Sequence, residues 1–151
     1  MLGNRIDDPG GVEGSAGAVE GLGLLDVDTV LTGDKVLQPV RGCVADSGAR
    51  FEGYEMHVGR SQGPAMSRPF LTLDPAIPDG AVSPNGRIAG GYVHGLFNLP
   101  GPRAALLGLF GRVSNAVDHN AAVDKALDDV ATALERALDV DSILRIAKSP
   151  A

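Results

Sequence analysis

Three histidines and one cysteine are the side chains of this sequence suited to acid–base or nucleophilic work near neutral pH. His94 lies in GGYVHGLF, between Val93 and Gly95. Glycines on both sides let a second backbone or a ligand come close. Spacing alone leaves two readings open: a spacer buried on a strand, or a general base held at a strand end. His57 lies in GYEMHVG, two residues after Glu55, so on a strand both side chains point to one face. Such a pair makes either a satisfied polar patch or a site. His119, in VDHNAA, falls at an expected helix start and reads as a solvated residue beside a cap.

Cys43 sits in RGCVADSG. A nucleophile on an elbow needs small neighbours and a helix directly after it. Here β-branched Val44 and turn residues follow, so Cys43 reads as a structural thiol. One cysteine and three scattered histidines offer no ligand pairs at metal-binding spacing. GGVEGSAGAVEGLG is glycine-rich like a phosphate loop. It lacks the Lys-Ser/Thr ending, however, and its two glutamates, Glu13 and Glu20, repel phosphate.

The elements that must hold these residues are short and turn-rich at first. Residues 1–14 show no strand pattern. MLGNRI reads as the end of a helix that begins before Met1, with a loop running on to Gly21. GLGLLDVDTVLTGD is an apolar run expected as a buried strand. KVLQPVRGCVAD follows as a second strand, placed at or near a sheet edge because Pro39 cannot donate to a ladder. ARFEGYEMHVGRS gives a third, alternating around Phe51, Tyr54, Met56 and Val58. DPAIPDG and SPNG are loop and hairpin signals. RIAGGYVHGLF is a fourth strand, closed by a Pro-Gly-Pro turn. Residues 104–113 can form a short helix. From His119, apolar residues at Val123, Leu127, Val130, Leu134 and Leu138 describe an amphipathic helix capped by Asp118 or Asn120. Asp141 is the expected cap of a final short helix. No linker is long enough to divide the chain.

The whole sequence bounds what these elements can do. With 151 residues, 44 % of them hydrophobic, there is enough chain for one core. A net charge of −6 without clustered Lys and Arg excludes a nucleic-acid surface. No apolar stretch reaches the roughly 18 residues of a membrane span, and no signal-peptide pattern is present. The single cysteine makes a cytoplasmic setting the expectation.

Four segments together resemble one family. FEGYEMHVG is similar to the Phe-x-Gly-Tyr-Glu-x-His-x-Gly segment of cobyric acid synthases. GRIAGGYVHGLF resembles their Gly-x-x-x-Gly-x-Tyr-x-His-Gly-Leu-Phe segment. VEGLGLLDVDT and the tail LERALDVDSILRI match two further segments in order. The resemblance implies an α/β, class I glutamine amidotransferase-like layered domain, incomplete at its N-terminus, with strands in the first two thirds and helices at the C-terminus. Residues 1–151 are then the C-terminal part of an amidotransferase domain. It implies His94 as the catalytic histidine, and Tyr54, Glu55 and His57 as a substrate-binding or structural signature. It implies glutamine and a corrinoid as substrates, with ATP and Mg at a separate N-terminal domain, and no cofactor in this chain.

The family's Cys-Gly-Gly elbow would directly precede Met1, so the expectation is a fragment inactive by itself, whose partner could be a separate N-terminal chain. Two other readings follow from the same residues. One is the glutaminase subunit of a cell-wall lipid amidotransferase, which shares a related Gly-Tyr-Glu-x-His segment. The other is a non-catalytic interaction piece.

Overall fold

The computed structural model describes residues 1–148. It is a mixed α/β structure with a sheet in the first two thirds and helices at the C-terminal end. Contacts divide it into two units, Met1–Ala116 and a second beginning at Val117. The division corrects the expectation of an uninterrupted chain. Residues 112–118 carry no helix or strand, and Val113 is almost fully exposed, so this stretch connects without needing a Gly- or Pro-rich composition.

The first unit is built on β4, Arg50–Gln62, which pairs antiparallel with the long β3, Asp28–Val44. The other members of this sheet are β1 (Arg5–Asp8), β2 (Gly17–Glu20), β5 (Leu71–Leu73), β6 (Ile77–Asp79) and β9 (Val93–His94). The main path runs β2-β1-β3-β4-β9, with β5 joining β3 and β6 joining β5. β1 lies parallel to β3, whereas the other pairs are antiparallel. A separate hairpin joins β7 (Ala81–Val82) to β8 (Ala89–Gly90).

Several elements differ from the sequence expectation. Residues 1–4 form no helix. Their carbonyls instead accept hydrogen bonds from the chain at 21–25, including Leu24 N to Leu2 O at 2.8 Å. β1 and β2 occupy what reads as loop. The apolar run from Leu22 to Val27 is not a strand, and the two expected strands after it are one, β3, with a register break between Leu31 and Val36. Pro39 sits inside that strand opposite Tyr54. It is tolerated because β1 and β5 pair only with the two ends of β3, leaving the middle locally an edge. RIAGGYVHGLF splits into β8 and β9, which pair with different strands. The DPAIPDG and SPNG signals do make the β5–β6 and β7–β8 turns.

The main core gathers Val44, Phe51, Leu71, Leu73, Leu96 and Leu106. Leu106 comes from α1, Pro100–Gly108, which starts on the expected turn. Pro100 falls at the first helical position, where its missing N–H costs nothing. A second cluster holds Leu25, Val27, Ala65 and Ala81. In the second unit, α2 (His119–Ala137) is capped by Asp118, whose carboxylate accepts from the N–H groups of Asn120 and Ala121. α3 (Val140–Lys148) is capped by Asp139, not Asp141. The Asp139 carboxylate takes the Ser142 N–H at 2.9 Å, which puts the helix start two residues earlier than the pattern suggests.

Phe51 is 1 % exposed at the centre of the main core. Phe51→Ala should destabilise the first unit by about 3–5 kcal/mol in urea unfolding. Leu127→Ala, on the exposed stripe of α2, should cost under about 1 kcal/mol.

Candidate active site

β4 alternates strictly. Phe51, Glu55 and Gly59 are buried and His57 and Ser61 half-buried on one face, while Glu52, Tyr54, Met56 and Arg60 are exposed on the other. The expected apolar alternation through Phe51, Tyr54, Met56 and Val58 is therefore corrected: Phe51 faces inward, whereas Tyr54 and Met56 face outward. A period of two fixes this, because Phe51 and Tyr54 have opposite parity. The strand buries a carboxylate and an imidazole and exposes two apolar side chains.

His94 is exposed, at the end of β9 directly opposite Tyr54. Its imidazole stacks on the Tyr54 ring with centroids 5.0 Å apart and planes 8° from parallel. β9 approaches β4 this closely because residue 53 is glycine. A Cβ there would collide with the His94 carbonyl oxygen. Gly95, at φ +89°, turns the chain away immediately after the histidine.

Glu55 and His57 share a face, as their spacing predicts, and it is the face opposite His94. Gln38 Nε2 donates to Glu55 Oε2 at 2.8 Å. His57 Nε2 lies 3.7 Å from Glu55 Oε1, and Nδ1 lies 2.8 Å from the Gly59 carbonyl oxygen. That carbonyl can only accept, so Nδ1 carries the proton. The His57 ring stacks on Tyr92 at 4.3 Å, and the Tyr92 hydroxyl joins Ser61 Oγ at 2.6 Å, which in turn joins Thr29 Oγ1 at 2.7 Å.

These groups line part of a cavity of about 600 Å³ whose apolar wall includes Leu2, Leu25, Val27 and Met66. Asp79 also reaches this wall. Burial pushes its carboxyl pKa up, and the nearby Glu55 charge pushes it further the same way. Its Oδ2 is buried without a hydrogen-bond partner. Ser61 was recoverable from its parity with Glu55 and His57 on β4, whereas parity alone would put Tyr92 on the face of His94 and so misplace it. Asp79, Gln38 and Thr29 arrive from distant segments and carry no local signal.

Cys43 pairs with Arg50, four residues along β4 from Tyr54 and so about 13 Å away along the strand. It also lies one strand further from β9. The structure therefore does not bring it together with His94. His119 takes its expected exposed place as the first residue of α2. The glycine-rich loop is closed to phosphate by its own side chain. Asp8 accepts from the N–H groups of Val12 at 2.7 Å and Glu13 at 3.0 Å, and these bonds hold its pKa below the usual carboxylate range. These two amides are therefore turned toward Asp8 instead of toward an anion. Among the described residues, no cluster of His, Cys, Asp and Glu is placed to hold a metal ion, and no helix is long and apolar enough to cross a membrane.

A CobB/CobQ-like glutamine amidotransferase domain matches residues 1–101. The chain is 54 % identical over 147 residues to a cobyric acid synthase of a Caulobacter species, covering 97 % of this chain and 30 % of that protein. It is 49 % identical to one from Methylocella silvestris, covering 97 % and 31 % respectively. It is 50 % identical over 150 residues to one from a Bradyrhizobium species, covering 99 % and 30 %. The chain thus spans under a third of the length of these relatives.

Because the folded-state pKa of Asp79 is raised, its contribution to stability is full below the unfolded value near 3.8 and is lost as pH rises through the folded value. Asp79→Asn should remove that loss. Thermal unfolding compared at pH 3.5 and pH 7 should show the variant gaining on the parent only at the higher pH. An equal difference at both would mean that the Asp79 charge is not under strain.

Proposed function

The chain belongs to the family of CobB/CobQ-like glutamine amidotransferase domains, and on that premise we propose that His94 is the proton carrier of a glutamine-hydrolysing centre. The ammonia released amidates peripheral carboxylates of a corrinoid, as the names of relatives 49–54 % identical over almost the whole chain suggest. Those names also favour the corrinoid over a cell-wall lipid precursor. The observation that carries the reading is the position of His94: an exposed residue at a strand end, its ring stacked on Tyr54.

The chemistry follows from that position. Neutral imidazole takes the proton of a cysteine thiol, and the thiolate attacks the side-chain carbonyl of glutamine. The imidazolium then returns the proton to the departing amide nitrogen, releasing ammonia and leaving a thioester. Imidazole next takes a proton from water, the hydroxide displaces the thiolate, which recovers that proton from the imidazolium, and glutamate leaves. Cys43 is too far along the sheet to be that nucleophile, so the sulfur comes from outside residues 1–151, on the same polypeptide or on a separate N-terminal chain. ATP and Mg activate the corrinoid carboxylate elsewhere in the protein, since the glycine-rich loop here is filled by Asp8. A cytoplasmic setting accords with the single free thiol.

The 151-residue chain alone should hydrolyse no glutamine above background. In a complete amidotransferase carrying this segment, His94→Ala should lower kcat by roughly 10⁴- to 10⁶-fold, while Cys43→Ser should leave it unchanged. Ammonia release by the isolated chain, abolished by Cys43→Ser, would overturn the assignment of the nucleophile. Full activity in the His94→Ala enzyme would overturn that of the base.

A further inference from the structure

The Phe-x-Gly-Tyr half of the β4 segment and its Glu-x-His half do different work. Glu55 and His57 point into the cavity, on the face away from His94. Gly53 and Tyr54 meet His94 itself. We propose that Tyr54 is the positioning residue of His94, and that Gly53 makes the contact possible. This rests on the reading of His94 as the base and deepens it.

Three observations carry the proposal. First, Tyr54 belongs to neither apolar cluster and is 42 % exposed, so packing does not account for an aromatic ring there. Second, the cross-strand pair Tyr54–His94 brings the rings to 5.0 Å and within 8° of parallel, inside the range of an offset stack. Third, β9 has only two residues, too few for its ladder alone to fix a side chain.

The geometry suits the proton's path. Both imidazole nitrogens exchange protons in the plane of the ring. A stack covers one face of the ring and leaves its edge free. The histidine χ2 is otherwise broad, so an unstacked ring would sweep through many orientations. The phenol thus holds the ring plane while leaving both nitrogens open to a thiol and to a departing amine. Tyr54 touches neither reactant, and its phenol hydroxyl plays no part, so phenylalanine should serve as well.

Two measurements test this. In the 151-residue chain with labelled histidine, the carbon-bound ring protons of His94, assigned through His94→Gln, should resonate upfield because of the neighbouring aromatic ring. They should move downfield in Tyr54→Leu and return in Tyr54→Phe, while His57 and His119 signals stay in place. In a complete amidotransferase carrying this segment, Tyr54→Leu should lower the kcat of glutamine hydrolysis roughly two- to ten-fold, the size of a lost stack. KM should be little changed, and Tyr54→Phe should restore the rate. Unmoved His94 signals in Tyr54→Leu would overturn the stack. Moved signals with an unaltered kcat would overturn the positioning role while leaving His94 as the base. Full hydrolysis in the His94→Ala enzyme would remove the base and this proposal with it, whatever the spectra show.

Discussion

Everything at this site depends on the two-residue period of one strand. β4 sends successive side chains to opposite faces of the sheet, and Gly53 lets β9 lie close enough to use both. Within five residues the strand meets the main core through Phe51, the exposed histidine through Tyr54 and the cavity through Glu55. No single face could carry all three. The core demands apolar contact, the exposed histidine demands access, and the buried polar groups demand partners. Alternation satisfies the three demands with a minimum of chain.

The buried face carries the larger energetic cost. A carboxylate and an imidazole taken from water are tolerated only when their hydrogen-bonding capacity is met. Glu55 is met by Gln38 across the strand pair, with Nε2 of His57 lying 3.7 Å from its other oxygen. His57 is met by the Gly59 carbonyl and by its stack on Tyr92. The chain from Tyr92 through Ser61 to Thr29 then ties β9's approach to β4 and β3. Asp79 is the exception: one oxygen has no partner, and burial, with the Glu55 charge nearby, raises its pKa.

Local patterns carried much of this structure and non-local pairing carried the rest. The α2 helix and its Asp118 cap were legible because cap, period and length agree within one segment. The SPNG and DPAIPDG turns were legible for the same reason. The shared face of Glu55 and His57 followed from parity alone. By contrast, the merging of two strands into β3 was invisible. Gly33, at φ +79°, and Asp34 fall in the register break between Leu31 and Val36, and pairing with β4 on both sides of that break joins the two segments into one strand. β1 and β2 were missed because their residues alternate poorly and gain strand character only by pairing with β3 and with each other. The partner of His94 was hidden by a different effect. Tyr54 looks like a core residue by type, and only register shows that it faces outward.

Register also explains how so short a strand as β9 holds His94 in one orientation. A slip of one residue would turn His94 into the interior and Val93 outward. Two ladder pairs cannot prevent that, but four neighbouring constraints can. Val93 packs against the main core, which holds its parity. Tyr92 is fixed by Ser61 and His57. The His94 carbonyl fits only over a residue without a Cβ, and no other glycine on β4 lies near enough in register to take it: the next, Gly59, already faces Thr29 and Leu31. Gly95 then ends the strand with a backbone angle that other residues rarely adopt. The glycines that made GGYVHGLF look permissive thus act the other way, admitting one alignment of the histidine and excluding its neighbours.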